Sequence, residues 1–249
     1  MKILAIGNSF SDDSMEYLGE LLKNIGEREI VLGNLYIGGC SINRHLECLK
    51  ENLPEYEYRT NDGNGWKTTF SYKSADALQS QNWDIVVMQQ YSGESGVPAS
   101  YEKLPYLLSL VKKFTPNAKF VWNMTWAYQS DATHPAFAIY GNDQKRMYEK
   151  IVETVREMIV KEKSFLHVIP TGTAIQNVRA VYGDTITRDG FHLSFDFGRY
   201  IAGLTWLKVL TAVDLEKVSY RPQGVDKAMQ TIAIRAVENA VKNPFCVME

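Results

Sequence analysis

Asp189 and His192 stand three residues apart near the carboxyl end of the sequence. At that spacing the carboxylate can accept a hydrogen bond from Nδ1–H of the imidazole, which leaves Nε2 free to act as a base. A base of this kind needs a nucleophile. Ser9 offers one, because it follows the apolar run Lys2–Ile6 and a glycine at the other end of the chain. These residue types predict nucleophilic catalysis by a Ser-His-Asp triad.

Each of the three residues also has a purely structural alternative. Ser9 is a typical helix-capping or turn residue, and His192 precedes a helix that it could cap. Asp189 begins an Asp-Gly pair of the kind common in surface turns. Ser11 is a second, less favoured nucleophile. The combination of a serine after the first strand with Asp189-x-x-His192 favours the catalytic interpretation.

The motifs together resemble those of the SGNH (GDSL-type) hydrolases. The similar blocks are Gly7-Asn8-Ser9, the pair Gly38-Gly39, and Asp189-x-x-His192, and the resemblance spans residues 2 to about 195. It implies an esterase or deacylase with a flavodoxin-like fold. The family usually has Asp where this chain has Asn8, so the local hydrogen-bonding shape is kept and the charge is lost.

An acyl transfer also needs hydrogen-bond donors for the developing oxyanion. The backbone N–H groups of Ser9 and Gly39 are candidates, with Gly38 as the alternative to Gly39. The resemblance implies a third donor, an Asn side chain after the third strand, but that block contains no Asn here. A Gln amide carries the same N–H donor, and some carbohydrate-esterase branches have a similar Gln-x-Gly-Glu-Ser block. We therefore favour Gln90 as the third donor, with Gln89 and Ser92 as alternatives.

A long polar and aromatic loop over residues 125–135 supplies further candidates, since long loops in compact domains are often functional. In this loop we predict Trp126 and His134 as substrate-binding residues, and Tyr128 could stack on a sugar in the same way. Gln89, which lies outside the loop, is predicted as a third substrate-binding residue. Packing at the rim explains the aromatic residues equally well, and a structural role suits a histidine before proline.

The sequence gives no reason to expect a metal or a cofactor. His45 falls in a predicted helix and His167 in a strand where a buried histidine is expected. The histidines and cysteines have no metal-ligand spacing. The Gly-rich phosphate-binding patterns are also missing, which ranks nucleotide or flavin binding last.

Alternation of strands and helices predicts an α/β fold, specifically a flavodoxin-like three-layer α/β/α sandwich with a five-stranded parallel sheet. A hairpin signal over residues 54–73 is interpreted as a small insertion near the active-site rim, and residues 1–249 as a single domain. The predicted strands cover residues 2–6, 29–36, 84–89, 119–123 and 165–169. The predicted helices cover residues 14–25, 42–51, 74–81, 99–113, 143–162, 173–181, 195–212 and 225–242.

Composition narrows the partners and the location. A formal net charge of −2 over 249 residues argues against a nucleic-acid partner, and no apolar run approaches the ~18 residues of a membrane span. The three cysteines are expected to be free thiols in a reducing compartment. The apparent lack of a signal peptide suggests a cytoplasmic protein, or a periplasmic or secreted one if a leader had been removed. The oligomeric state is open.

The leading hypothesis is a serine esterase or deacylase that removes small acyl groups, above all acetyl, from a carbohydrate or a related small-molecule ester. Lipid esters, thioesters and transfer to an alcohol acceptor stay open. A non-catalytic glycan-binding module on the same fold is the alternative, because Asn8 and the missing third-block Asn depart from the family pattern.

Overall fold

The fold is built on one sheet, seen in a computed structural model that describes residues 1–248. Short apolar runs form its central strands, and all four residues of the strand at Ile85–Met88 are buried. The strands are β1 (Lys2–Gly7), β2 (Val31–Tyr36), β3 (Tyr56–Asn61), β4 (Trp66–Tyr72), β5 (Ile85–Met88), β6 (Lys119–Asn123) and β7 (Phe165–Ile169).

The strand order is β4-β3-β2-β1-β5-β6-β7. The five strands β2, β1, β5, β6 and β7 pair in parallel, which confirms the predicted α/β class. The sheet has seven strands rather than five, because the predicted hairpin pairs antiparallel with β2 and extends the same sheet. Asn61 pairs with Leu32 near the start of β2. The hairpin turn therefore lies at the opposite end of the sheet from Ser9, and only the open end of the hairpin, where Glu57 pairs with Tyr36 at the end of β2, lies at the carboxyl end of the sheet.

The helices that connect the strands agree with the predicted ones in number and order, except at the start of the chain. The single helix predicted over residues 14–25 is two helices: the first begins earlier, at Ser9, where the Asn8 side chain accepts from the Phe10 N–H, and it ends at Met15 before the second begins at Leu18. The helices are α1 (Ser9–Met15), α2 (Leu18–Asn24), α3 (Ile42–Glu51), α4 (Ser74–Gln79), α5 (Leu104–Phe114), α6 (Gln144–Met158), α7 (Thr171–Tyr182), α8 (Phe197–Thr211) and α9 (Lys227–Lys242).

Eight of the helices fall into two groups whose members contact one another. One group consists of α1, α2, α7, α8 and α9, and the other consists of α3, α4 and α5. A continuous set of buried apolar side chains fills the interior between these helices and the sheet. Within the described residues, no helix is both long and apolar enough to cross a membrane.

The strand order places the loops after β1 and β5 at a crevice. From β1 the chain turns to β2 on one side, and β5, β6 and β7 follow on the other side. Open α/β sheets bind ligands at the carboxyl ends of their strands where the order reverses in this way. The segments that begin at Asn8 and Gln89 therefore meet where a ligand site is expected.

Candidate active site

Ser9, His192 and Asp189 form one hydrogen-bonded chain at the carboxyl end of β1. Nε2 of His192 lies 2.8 Å from Oγ of Ser9, and Nδ1 lies 2.6 Å from Oδ2 of Asp189. Ser9 is the first residue of α1, and it is partly exposed. Two residues separated by 183 positions in sequence are thus brought into contact, with the imidazole placed between a hydroxyl and a carboxylate.

Asp189 is fixed by its own turn. Its Oδ1 accepts hydrogen bonds from the backbone N–H groups of His192 and Phe191, at 2.8 and 3.2 Å. Burial acts to raise the pKa of Asp189, but these hydrogen bonds and the one from the His192 ring outweigh it and hold the pKa below its ordinary value. Gly190 has φ +90°, a conformation that L side chains rarely adopt. The turn therefore presents an ionised carboxylate to the imidazole.

Asp13 anchors this turn to the helix that carries Ser9. The carboxylate is fully buried. It accepts from the Leu193 N–H at 2.8 Å, from the Arg188 guanidinium at 2.9 Å and from the Arg199 guanidinium at 2.8 Å. Arg188 and Leu193 flank the segment that contains Asp189 and His192. Sequence reasoning missed Asp13, because the predicted helix began at residue 14 and an Asp between Asp12 and Ser14 gives no sign of burial in the sequence.

Buried amides hold the Ser9 loop from the side of the sheet. Asn8 donates to the Cys40 carbonyl at 3.1 Å, and its Oδ1 accepts from the Gln89 amide at 2.9 Å. The Gln89 carbonyl oxygen accepts from Asn123 at 2.8 Å, and Asn123 accepts from the Thr171 hydroxyl at 2.6 Å. Asn8 uses both its donor and its acceptor, which an Asp carboxylate could not do. Asn in place of the Asp of the SGNH motif therefore has a structural reason at this position.

Gln89 and Trp126 lie inside the protein, so neither lines a substrate-binding rim as predicted. Gln89 is occupied by the amide chain. Trp126 is fully buried, with its ring stacked on Phe10 at a centroid distance of 3.9 Å, and its Nε1–H donates to the Phe191 carbonyl at 2.8 Å. Because Phe10 follows Ser9 and Phe191 precedes His192, Trp126 contacts the neighbours of both Ser9 and His192. Tyr128 is fully buried as well.

The loop after β2 presents backbone donors beside Ser9. The Cys40 N–H donates to the Ile37 carbonyl at 3.2 Å and closes a turn in which Gly39 has φ +62°. Turns of this kind require glycine at that position. Gly38 and Gly39 are exposed, and in the described residues the N–H of Gly39 has no backbone acceptor. Asn8 links this turn to the Ser9 loop through Cys40.

Gln90 is not available as the third oxyanion donor. Its side-chain amide donates to the Ser100 carbonyl and hydroxyl oxygens at 3.0 and 2.9 Å, and its Oε1 accepts from the N–H groups of Ile42 and Tyr91. The side chain is buried and fully hydrogen-bonded, so this prediction is corrected. The alternative Ser92 is also buried, and its hydroxyl lies 2.9 Å from the Tyr128 hydroxyl.

The structure buries Ser11 and leaves His134 half-buried. Ser11, the alternative nucleophile, is buried and its hydroxyl is within hydrogen-bonding distance of the Asn8 carbonyl and the Asn34 side chain. His134 is half-buried at the carboxyl end of the sheet, with its ring 4.8 Å from the Phe191 ring, which in turn adjoins His192. Burial lowers the pKa of His134, and the nearby His192 lowers it further.

No metal site accompanies the triad in the part of the chain that the structure describes, where no three His, Cys, Asp or Glu side chains are grouped to hold an ion. All three cysteines are free. His167 is exposed rather than buried as predicted, because β7 is the edge strand of the sheet.

Comparison with known proteins assigns the family. Residues 2–240 match DUF4886, a domain of unknown function. The chain belongs to the DUF4886 family. A crystal structure of a DUF4886 protein from Bacteroides uniformis is 37% identical, with 100% of this chain and 97% of that chain covered and a TM-score of 0.96. A search of functionally curated proteins gave no match.

More distant structures show that this DUF4886 chain shares the fold of SGNH hydrolases. One is a protein from Slackia heliotrinireducens provisionally assigned as an SGNH hydrolase, with 21% identity, coverage of 84% and 98%, and a TM-score of 0.53. Another is a mutant of the acetyl-xylooligosaccharide esterase Axe2 from Geobacillus, with 18% identity, coverage of 88% and 97%, and a TM-score of 0.54.

One histidine of this DUF4886 chain predicts a pH dependence of stability. His45 of α3 is buried with Nδ1 2.8 Å from the Tyr56 hydroxyl, and burial lowers its pKa from 6.5 to about 3. Below pH 6.5 the unfolded chain binds a proton that the folded protein rejects, so stability is full above pH 6.5 and falls as the pH approaches 3. The slope for one proton is about 1.4 kcal/mol per pH unit.

We expect His45→Gln to flatten this slope. Urea unfolding at pH 7.5, 6.5, 5.8 and 5.2 would measure it, in a range above the titration of most carboxyl groups. The exposed His167→Gln is the matched control and should keep the wild-type pH dependence. An unchanged slope in His45→Gln would contradict the assignment of this proton to His45.

Proposed function

We propose that the protein is a serine hydrolase of the SGNH type that acts on ester bonds. The observation that carries the proposal is the continuous chain from Ser9 Oγ through His192 to Asp189, with distances of 2.8 and 2.6 Å. A nucleophile in hydrogen-bond contact with a base, and a base oriented by a carboxylate, are the parts that covalent acyl transfer requires.

In the proposed reaction Ser9 Oγ attacks the ester carbonyl carbon while His192 Nε2 takes its proton. Asp189 stabilises the resulting imidazolium. The N–H groups of Ser9 and Gly39 donate to the oxyanion of the tetrahedral intermediate. The imidazolium then gives its proton to the departing alcohol, which leaves an acyl group on Ser9. Water, deprotonated by His192, attacks the acyl group, and its proton returns to Ser9 as the acid is released.

The surroundings of the triad favour a small acyl group on a carbohydrate. The half-buried ring of Phe191 near the site suits contact with a sugar. The shared fold with an acetyl-xylooligosaccharide esterase supports the same substrate class.

The proposal is tested by measuring the products and the labelled residue together. We expect acetate release from acetylated xylo-oligosaccharides, faster hydrolysis of p-nitrophenyl acetate than of the octanoate, and a single fluorophosphonate adduct that peptide mass spectrometry places on Ser9. Preferred hydrolysis of the octanoate would reject the small-acyl part alone. Sugar binding with neither acetate release nor a Ser9 adduct would favour the glycan-binding alternative.

A further inference from the structure

Tyr91 lies in the segment after β5 from which the resemblance implies a third oxyanion donor. It lies three residues beyond the end of β5, and it is the member of the block 89–92 whose side chain is only half-buried. The amides of Gln89 and Gln90 and the hydroxyl of Ser92 are engaged within the protein. Tyr91 is thus the polar side chain of this block that remains available to a ligand.

The Tyr91 ring borders the same opening as the Gly39 backbone donor. A methyl group added at Gly39 would lie 3.7 Å from Cε2 of Tyr91. On its other side, the Tyr91 hydroxyl lies 3.4 Å from Nε2 of His134. The His134 ring packs against Phe191, whose ring centroid is 4.2 Å from that of His192. Gly39, Tyr91, His134 and Phe191 therefore form a continuous series of contacts that ends beside His192.

The tautomer of His134 determines the direction of the hydrogen bond to Tyr91. Nδ1 of His134 accepts the Ala136 N–H at 3.1 Å, so it carries no proton. The proton of the neutral ring is then on Nε2, which donates to the Tyr91 oxygen. Burial lowers the pKa of His134 and raises that of Tyr91, which keeps both groups neutral. The phenolic O–H of Tyr91 is left free to donate to a ligand.

The two loops that carry Tyr91 and His134 are fastened to each other. The Tyr140 hydroxyl accepts from the Gly96 N–H and donates to the Gly93 carbonyl, each at 3.0 Å. Tyr140 is the last residue of the short helical segment Pro135–Tyr140, and His134 caps its start. The hydrogen bond between Tyr91 and His134 is therefore held in place before a substrate arrives, which is the preorganisation that oxyanion stabilisation requires.

We infer that Tyr91 is a catalytic residue that donates its phenolic hydrogen to the oxyanion, in the place of the Asn side chain of similar hydrolases, and that His134 is the residue that orients it. The inference rests on the proposed function. It also assigns Tyr91 a contact with the acyl oxygen rather than with the sugar, so Tyr91 should affect kcat and leave KM nearly unchanged.

The test compares Tyr91→Phe, which removes only the hydroxyl, with the exposed Tyr106→Phe as the matched control. Two rates are measured: kcat for phenyl acetate, and the rate constant for fluorophosphonate attack at Ser9, which also develops charge on an oxygen. Loss of one oxyanion donor lowers such rates by on the order of 10²-fold. We expect Tyr91→Phe to lower both rates by about that factor, and Tyr106→Phe to match the wild type.

A second pair of variants tests the orienting role of His134 without altering Tyr91. His134→Gln keeps an N–H near the position of Nε2 and should retain most of the activity, whereas His134→Phe should lose part of kcat at unchanged KM. Equal rates for Tyr91→Phe and wild type, with Ser9→Ala inactive, would overturn the role of Tyr91 and leave the proposed function standing. Absence of Ser9-dependent labelling and turnover in the wild type would reject the proposed function and this inference with it.

Discussion

Replacement of Ser9 by Ala is expected to abolish ester hydrolysis, with kcat lowered by roughly 10⁴- to 10⁶-fold. The variant keeps the fold, because Ser9 is partly exposed and its hydroxyl bonds to His192 rather than to the core. His192 and Asp189 without a nucleophile can only activate water, and the covalent intermediate is lost. Hydrolysis of p-nitrophenyl acetate and fluorophosphonate labelling would measure the loss.

Two other serines provide the controls for this experiment. Ser109 is exposed on α5, and Ser109→Ala should match the wild type. Ser11→Ala removes a buried hydroxyl bonded to Asn8 and Asn34, so it should lower the unfolding temperature while retaining the fluorophosphonate adduct at Ser9. Full activity of Ser9→Ala together with inactivity of Ser11→Ala would reassign the nucleophile to Ser11.

Asp13→Asn is expected to destabilise the protein by about 3 kcal/mol, since removal of one partner from a buried ion pair leaves the other charge uncompensated. The fully buried carboxylate accepts from Arg188 and Arg199. Both arginines retain some contact with solvent, which keeps the expected loss at the lower end of the range for buried pairs. At roughly 2–4 °C per kcal/mol for a chain of this size, the melting temperature should fall by about 6–12 °C.

The same change should also reduce catalysis, because Asp13 holds both flanks of the segment with Asp189 and His192 against α1. We expect kcat to fall by about tenfold, the equivalent of about 1.4 kcal/mol in the barrier. Asp12→Asn is the matched control, since the neighbouring Asp12 pairs with Arg59 of β3 and not with the triad segment. It should cost stability and leave kcat unchanged. Equal kcat values for wild type and Asp13→Asn would restrict Asp13 to a structural role.

The features that the sequence predicted correctly depend on short-range interactions. The alternation of apolar strands with helices is visible within windows of about ten to fifteen residues, and it predicted the five parallel strands and the α/β class. The Asp189 turn is equally local, since its carboxylate bonds to groups two and three residues away. The serine after β1 was selected by its resemblance to a known motif, and the structure brings it to His192.

The features that the sequence left open depend on partners far away in the chain. The sequence shows that Gln90 carries an amide donor, but only the packing of residues 89–100 shows that this amide donates to Ser100. Trp126 reads as a loop aromatic, yet its contact with Phe10 bridges 116 positions and buries it. The sequence predicted the hairpin, but it did not predict that the hairpin strand β3 pairs with β2 and extends the sheet.

The sequence by itself thus determined the fold class through local periodicity, and one turn and a family motif selected Ser9, Asp189 and His192, which the fold brings into contact. Only the tertiary structure decided which polar groups near the triad remain free. A buried donor or acceptor takes the partner that the sheet order brings to it, and unpaired buried groups are costly. The order β2-β1-β5-β6 places Asn8, Gln89 and Asn123 side by side, which engages their amides with one another, whereas Tyr91 of the same block is only half-buried.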